Sequence, residues 1–157
     1  MNQNLRTVLA VFIISLSYIF VCSGQARPSA VQVCASSSES DLYCPANVVD
    51  GNYQSRWSSQ FSDPQWLLLD LGQTIEICGI TIKWEAAYGK SYEVQISSDN
   101  SEWKTVYEIT DSDGGTDEVY FRKVPARYVR IFMKERGTFW GYSVFEVLVK
   151  GADEEPV

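Results

Sequence analysis

From Trp66 onward the hydrophobic residues of this chain recur with a period of two rather than 3.6, which confines the fold to strands. Trp66–Leu71 is a short apolar run stopped by Gly72. Between Ile77 and Trp84, Ile80 and Ile82 share one face while Thr81 and Lys83 take the other. Tyr92, Val94 and Ile96 alternate with Glu93, Gln95 and Ser97, and the pattern ends at Asp99-Asn100. Runs at Val106–Ile109, Val119–Phe121, Arg127–Met133 and Phe145–Val149 complete the series. Each is rich in β-branched and aromatic residues and bounded by Gly, Asp, Asn, Ser or Pro, the composition of strands and their turns. No window supports an amphipathic helix of about ten residues or more. The expectation is an all-β fold, an antiparallel β-sandwich or barrel. Neither a repeat nor a linker interrupts Val33 to Gly151, so residues 33–151 are expected to form a single domain.

The N-terminus reads differently. Arg6 precedes an apolar run from Val8 to Val21, followed by small residues at Cys22-Ser23-Gly24. A basic start, a short apolar stretch and a small-residue exit describe a secretory signal peptide over residues 1–24. The run falls short of the roughly 20 residues a membrane-spanning helix needs. The mature protein is therefore expected to be secreted and extracellular. Losing residues 1–24 removes one cation and no acid, making a net charge of −7 more negative still. Phosphate backbones and anionic membranes are held by clustered Lys and Arg, so the acidic balance argues against nucleic acid and anionic lipid. It suits Ca²⁺, cationic sugars or mineral surfaces. Residues 152–157, with Asp153-Glu154-Glu155, read as an acidic disordered tail.

Cysteine use fits the same compartment. Cys22 leaves with the signal, and in an oxidising environment at least one pair among Cys34, Cys44 and Cys78 is expected to bridge. Cys34 and Cys44 are the nearest pair, with Cys44–Cys78 the alternative. The first pairing leaves Cys78 buried or available for an intermolecular disulfide.

The densest cluster of polar chemistry is Pro45–Ser59, PANVVDGNYQSRWSS. Asp50, Gly51, Asn52 and Ser55 set a carboxylate, an amide and a hydroxyl around a glycine, and Arg56-Trp57 follows. Ca²⁺ takes about six to eight oxygens, several of them carbonyls aimed inward by a tight turn. Asp-Gly-Asn is equally a common surface turn, and EF-hand spacing is absent.

Several landmarks carry a family resemblance: ASSSES (35–40), VVDGNYQSRWSS (48–59), DPQWLLLDLG (63–72) and ITIKWEAAYGKSYEVQISSD (80–99). WKTVY (103–107), DGGTDEV (113–119), ARYVRIF (126–132) and RGTFWGYSVFEVLV (136–149) continue the order. Together they resemble discoidin domains, the coagulation factor V/VIII C-type fold, and most closely the family 32 carbohydrate-binding modules. The resemblance implies a galactose-binding-domain-like jelly roll holding one structural Ca²⁺. Asp50 would give it a carboxylate and Asn52 an oxygen. Asn47, Ser55 and Phe145 would give backbone carbonyls, and Glu146 a distant carboxylate.

The resemblance also implies a sugar site on loops at one end of the sandwich, formed by Glu39, Arg56, Phe61, Glu85 and Trp140, with Tyr88 and Tyr142 as neighbours. An aromatic face stacks on the apolar side of a pyranose while charged forks meet its hydroxyls. Phe139 is expected to be the buried member of the Phe139-Trp140 pair, and Trp57, Trp66, Trp84 and Trp103 are expected in the core or at the loop base. Galactose-selecting relatives commonly place a histidine in the pocket, and this chain has none. Glucosamine-type or other glycans stay open, and Glu39 with Glu85 would favour an ammonium-bearing sugar.

Without histidine the usual Ser-His-Asp and Cys-His arrangements and the common zinc sites are missing. Asp113-Gly114-Gly115 reads as a hairpin turn, not a phosphate loop. Glu39 and Glu85 are the only carboxylates that could be paired for glycoside hydrolysis, and a sandwich this small rarely encloses a cleft for it. The expectation is a lectin-like binding module, not an enzyme. Since the module stands alone in this chain, recognition or adhesion is expected of it. The rival readings are a structural matrix or biomineral protein, and phospholipid binding through Phe61 and Phe139-Trp140.

Overall fold

Alternation along the chain is realised as antiparallel strands in the computed structural model, which describes residues 31–152. The signal segment and residues 153–157 of the acidic tail lie outside the described residues. The strands are β1 (Gln32–Ala35), β2 (Trp57–Ser58), β3 (Gln65–Trp84), β4 (Gly89–Ser97), β5 (Lys104–Ile109), β6 (Thr116–Arg136) and β7 (Ser143–Gly151). Two 3₁₀ turns, Asp41–Tyr43 and Pro45–Val49, lie between β1 and β2.

The long strands β3 and β6 each run through both layers of the sandwich. Leu67–Asp70 pairs with β1 on one side, Gln65–Asp70 pairs with Tyr128–Met133 of β6 on the other, and β6 passes the layer on to β4 and β5. A register break follows Asp70, and from Ile75 to Trp84 the strand lies against β6 and β7, with β2 outside β7. Runs that read as separate strands, 66–71 with 77–84 and 119–121 with 127–133, are thus single strands. The polar, solvent-exposed stretch from Gly72 to Glu76 is the crossing between layers, not a turn. β1 and β2 are too short to show a period.

Inward residues meet between the layers. Leu67, Ile80, Ile82, Tyr92, Val94, Val129, Ile131, Met133 and Val144 are fully buried, and each such side chain stabilises by about 1.5–3 kcal/mol. Trp57 and Trp84 belong to this core. Trp66 and Trp103 are only half-buried; Trp103 lies under the Arg130 guanidinium at 4.0 Å.

One carboxylate organises the core edge near the β3 terminus. Asp117 Oδ2 accepts from Trp84 Nε1 at 2.8 Å, the Tyr92 hydroxyl at 2.5 Å and Ser112 Oγ at 2.9 Å. Burial, and then Asp117 itself, hold the Tyr92 phenol well above its ordinary value, so it remains a donor. Asp117→Ala leaves three donors without their acceptor. Urea unfolding should show a loss of about 3 kcal/mol, since each buried unsatisfied group costs about 1–3 kcal/mol. A loss below about 1 kcal/mol would mean that the three donors find other partners.

The cysteine expectation is corrected. Cys34, Cys44 and Cys78 are all free thiols. Cys44 Sγ turns toward Asn47 Oδ1 at 3.3 Å, and Cys34 stands exposed on β1, opposite Leu68. Cys78 is buried, with its thiol donating to the Gly151 carbonyl at 3.1 Å, so it is not available to a second chain.

Candidate functional site

β3 and β6 end, and β4 and β7 begin, at one end of the sandwich, where their turns meet the segment around β2. Backbone bonds stitch these loops together. Glu39 N donates to Ser58 O at 2.8 Å, Ser59 N to Tyr142 O at 2.8 Å, Glu85 N to Ser143 O at 2.9 Å and Ser143 N to Ala87 O at 2.7 Å. Gly141 must be a glycine here, since a Cβ would stand 2.6 Å from the Ser59 carbonyl oxygen. The loops enclose a cavity of about 230 Å³.

All five residues expected to meet a ligand line that cavity: Glu39, Arg56, Phe61, Glu85 and Trp140. Tyr142 lines it too; Tyr88 does not. The Arg56 guanidinium sits 4.3 Å over the Tyr43 ring, with Nε donating to Ser58 Oγ at 3.2 Å. Glu85 Oε2 accepts from Ala87 N at 3.1 Å. Among the described residues no ion pair involves Glu39, Glu85 or Arg56. Three charges therefore face one cavity with their ionic capacity unused.

The opposite wall is aromatic. Phe61 meets Trp140 edge to face, with centroids 5.6 Å apart, and Phe139 lies against Trp140 at 4.6 Å. Phe139 is not the buried member of its pair: it is 78% exposed against 50% for Trp140. It follows the loop outward because Tyr142 supplies the buried aromatic of this segment.

Sequence reading missed the clamp that fixes this wall. Asp63 accepts from the Tyr142 hydroxyl through Oδ1 and from Arg136 Nε at 3.2 Å through Oδ2, while Arg136 Nη1 reaches the Trp140 carbonyl at 3.4 Å. These partners are distant in sequence, and no local pattern marks them.

The Asp50 turn has a second carboxylate set against it. Asp50 Oδ1 accepts from Asn52 N at 2.8 Å and Oδ2 from Ser55 Oγ at 2.7 Å. Glu146 is buried on β7, and its Oε2 has no hydrogen-bond partner. Burial first and the Asp50 charge second push the Glu146 carboxyl above its ordinary value, partly offset by the Gly51 amide. A β7 bulge falls between the pairs Lys83/Glu146 and Trp84/Val144, leaving Phe145 without a partner in β3. The Asn47 side chain is held by its amide nitrogen, which donates to the Leu42 and Arg56 carbonyls, while Cys44 Sγ meets its Oδ1 at 3.3 Å. Among the described residues no group of three His, Cys, Asp or Glu could hold a metal, so backbone oxygens would have to complete any sphere here. Two facing carboxylates, one oxygen of them orphaned and buried, suit a hard cation.

Residues 47–131 match the model of the NedA-like, galactose-binding domain of F5/F8 type C, and the chain belongs to that family. Its discoidin-like fold is that of family 32 carbohydrate-binding modules. The structure is similar to chitosan-binding module 1 from a chitosanase/glucanase of Paenibacillus sp. IK-5, with 38% identity and a TM-score of 0.76 over 78% of this chain and 95% of that one. Module 2 of the same enzyme, solved with chitotriose, shares 36% identity with a TM-score of 0.75, over 76% of this chain and 95% of that one. The polysaccharide lyase 8 family protein HylA of Enterococcus faecalis is 29% identical over 86 residues, 53% of this chain but only 6% of its own length.

Proposed function

We propose that this chain is a secreted, calcium-stabilised, non-catalytic glycan-binding module whose pocket takes a glucosamine-type sugar. The observation carrying this reading is a single small cavity with an aromatic wall, Phe61 and Trp140, that also holds Glu39, Glu85 and Arg56 free of ion pairs. Trp140 offers a π-face to the C–H face of a pyranose. The two carboxylates accept from an ammonium and neighbouring hydroxyls, and Arg56 donates to a ring or hydroxyl oxygen. The similar modules described as chitosan-binding support the same sugar class.

Ca²⁺ would be held by Asp50, Asn52 and Glu146 with the carbonyls of Asn47, Ser55 and Phe145, supplying charge neutralisation. The residues themselves tie the first loop to the last strand and thereby fix Arg56 and Phe61. Export is supported by Arg6 and the apolar run ending at Cys22-Ser23-Gly24.

A glycan array tests the ligand. Glucosamine-terminated oligomers should be retained at least tenfold better than their N-acetylated counterparts, because acetylation removes the charge that the carboxylates recognise. Equal retention of both would overturn the ammonium reading. Binding to no glycan, with retention on a chitin–protein or mineral matrix, would favour a structural role.

A further inference from the structure

We infer that Phe139 forms an outer subsite for the second residue of an oligosaccharide, so that the module reads a chain and not a single sugar. The inference rests on the glucosamine reading of the pocket and extends it beyond the cavity mouth. A cavity of about 230 Å³ lies below the roughly 300–1,000 Å³ of pockets for drug-sized ligands and has room for about one pyranose. Any further residue of the chain must lie over the rim.

The rim carries a ledge of three contiguous rings, Phe61, Trp140 and Phe139, and Phe139 is outside the cavity lining. It is the most exposed aromatic among the described residues. The loop beneath it is built rigidly. Gly137 N donates to the Tyr88 carbonyl at 2.8 Å, and the Tyr88 ring packs so closely that a Cβ on Gly137 would stand 2.2 Å from it. Trp140 N donates to Thr138 Oγ1 at 3.3 Å, and Arg136 holds the Trp140 carbonyl. An apolar ring fixed in water beside the aromatic wall of a sugar pocket is preorganised for stacking, so little ordering entropy is lost when a sugar covers it. Tyr88, which does not reach the cavity, acquires a role here as the wedge that sets the ledge.

Titration calorimetry of the full chain with D-glucosamine and with its β-1,4-linked trimer tests this. The wild type should bind the trimer roughly three- to tenfold more tightly than the monosaccharide, the range of one aromatic stack. Phe139→Ala should erase that ratio while leaving monosaccharide affinity unchanged. Equal wild-type affinities, or an equal drop for both sugars in Phe139→Ala, would overturn the subsite and leave the pocket reading standing. Binding of neither sugar would overturn both. Flotation with phosphatidylcholine vesicles that is lost in Phe139→Ala would assign the ring to a lipid surface and overturn the subsite.

Discussion

In calcium at about a hundred times its dissociation constant, the melting temperature should stand roughly 10 °C above that measured in chelator. A ligand at that excess stabilises the native state by about 2.7 kcal/mol, and for a domain of this size about 1 kcal/mol moves the midpoint by several degrees. Asp50→Ala should abolish the difference. Glu146→Gln makes the sharper test. In chelator the Glu146 carboxylate is buried, with one oxygen unpartnered and the Asp50 charge nearby, so neutralising it at constant shape should raise the melting temperature above wild type. In calcium the same variant should melt below wild type, because the charge proposed to hold the ion has gone. This crossing of the two orders is not produced by a residue that only packs.

The pH response has a definite sign as well. Because the Glu146 carboxyl sits above its ordinary value, the metal-free fold binds its proton more tightly than the unfolded chain does. Its contribution to stability is full below the ordinary carboxylate value and is lost as pH rises through the raised one. As the proposed ligand of the same carboxylate, calcium would compete with that proton and remove the decline. Identical melting curves with and without chelator, across pH, would remove the ion from the account.

How much of this was legible in sequence depends on the range over which each signal acts. Alternation from Trp66 onward is a local property, and it delivered the shared faces of Ile80 with Ile82 and of Tyr92 and Val94 with Ile96, all of which are buried. The fusion of two pairs of runs into β3 and β6 was not legible, because the polar stretch at Gly72–Glu76 has the composition of a turn while serving as a crossing between layers. Glu39, Arg56, Phe61, Glu85 and Trp140 came from a resemblance spread over the whole chain, and the fold gathers them around one cavity. Asp63 and Asp117 were missed for a physical reason: their value lies wholly in partners such as Tyr142, Arg136, Trp84 and Tyr92, which become neighbours only when the sheets pack. Cys34 and Cys44 show the converse. Nearness in sequence suggested a bridge, whereas local geometry directs Cys44 to Asn47 and leaves Cys34 exposed on an edge strand.

Trp140→Ala should weaken glucosamine-oligomer binding at least thirtyfold, measured by calorimetry, while moving the melting temperature by no more than about 2 °C. A central aromatic anchor commonly carries about 2 kcal/mol or more of a binding energy, which corresponds to roughly that factor. Its share in folding is small because the ring is half-exposed and rests only on Phe61 and Phe139 within the aromatic ledge. Gly141→Ala supplies the contrast. It would drive a methyl into the Ser59 carbonyl and hydroxyl, separate the two sides of the pocket and lower affinity together with stability. Glu85→Gln should fall between them, with a loss of affinity that shrinks as salt rises, since it alters charge and not shape. If Trp140→Ala and Glu85→Gln both retain wild-type affinity, the cavity between β2 and the loop leading into β7 is not where the glycan sits.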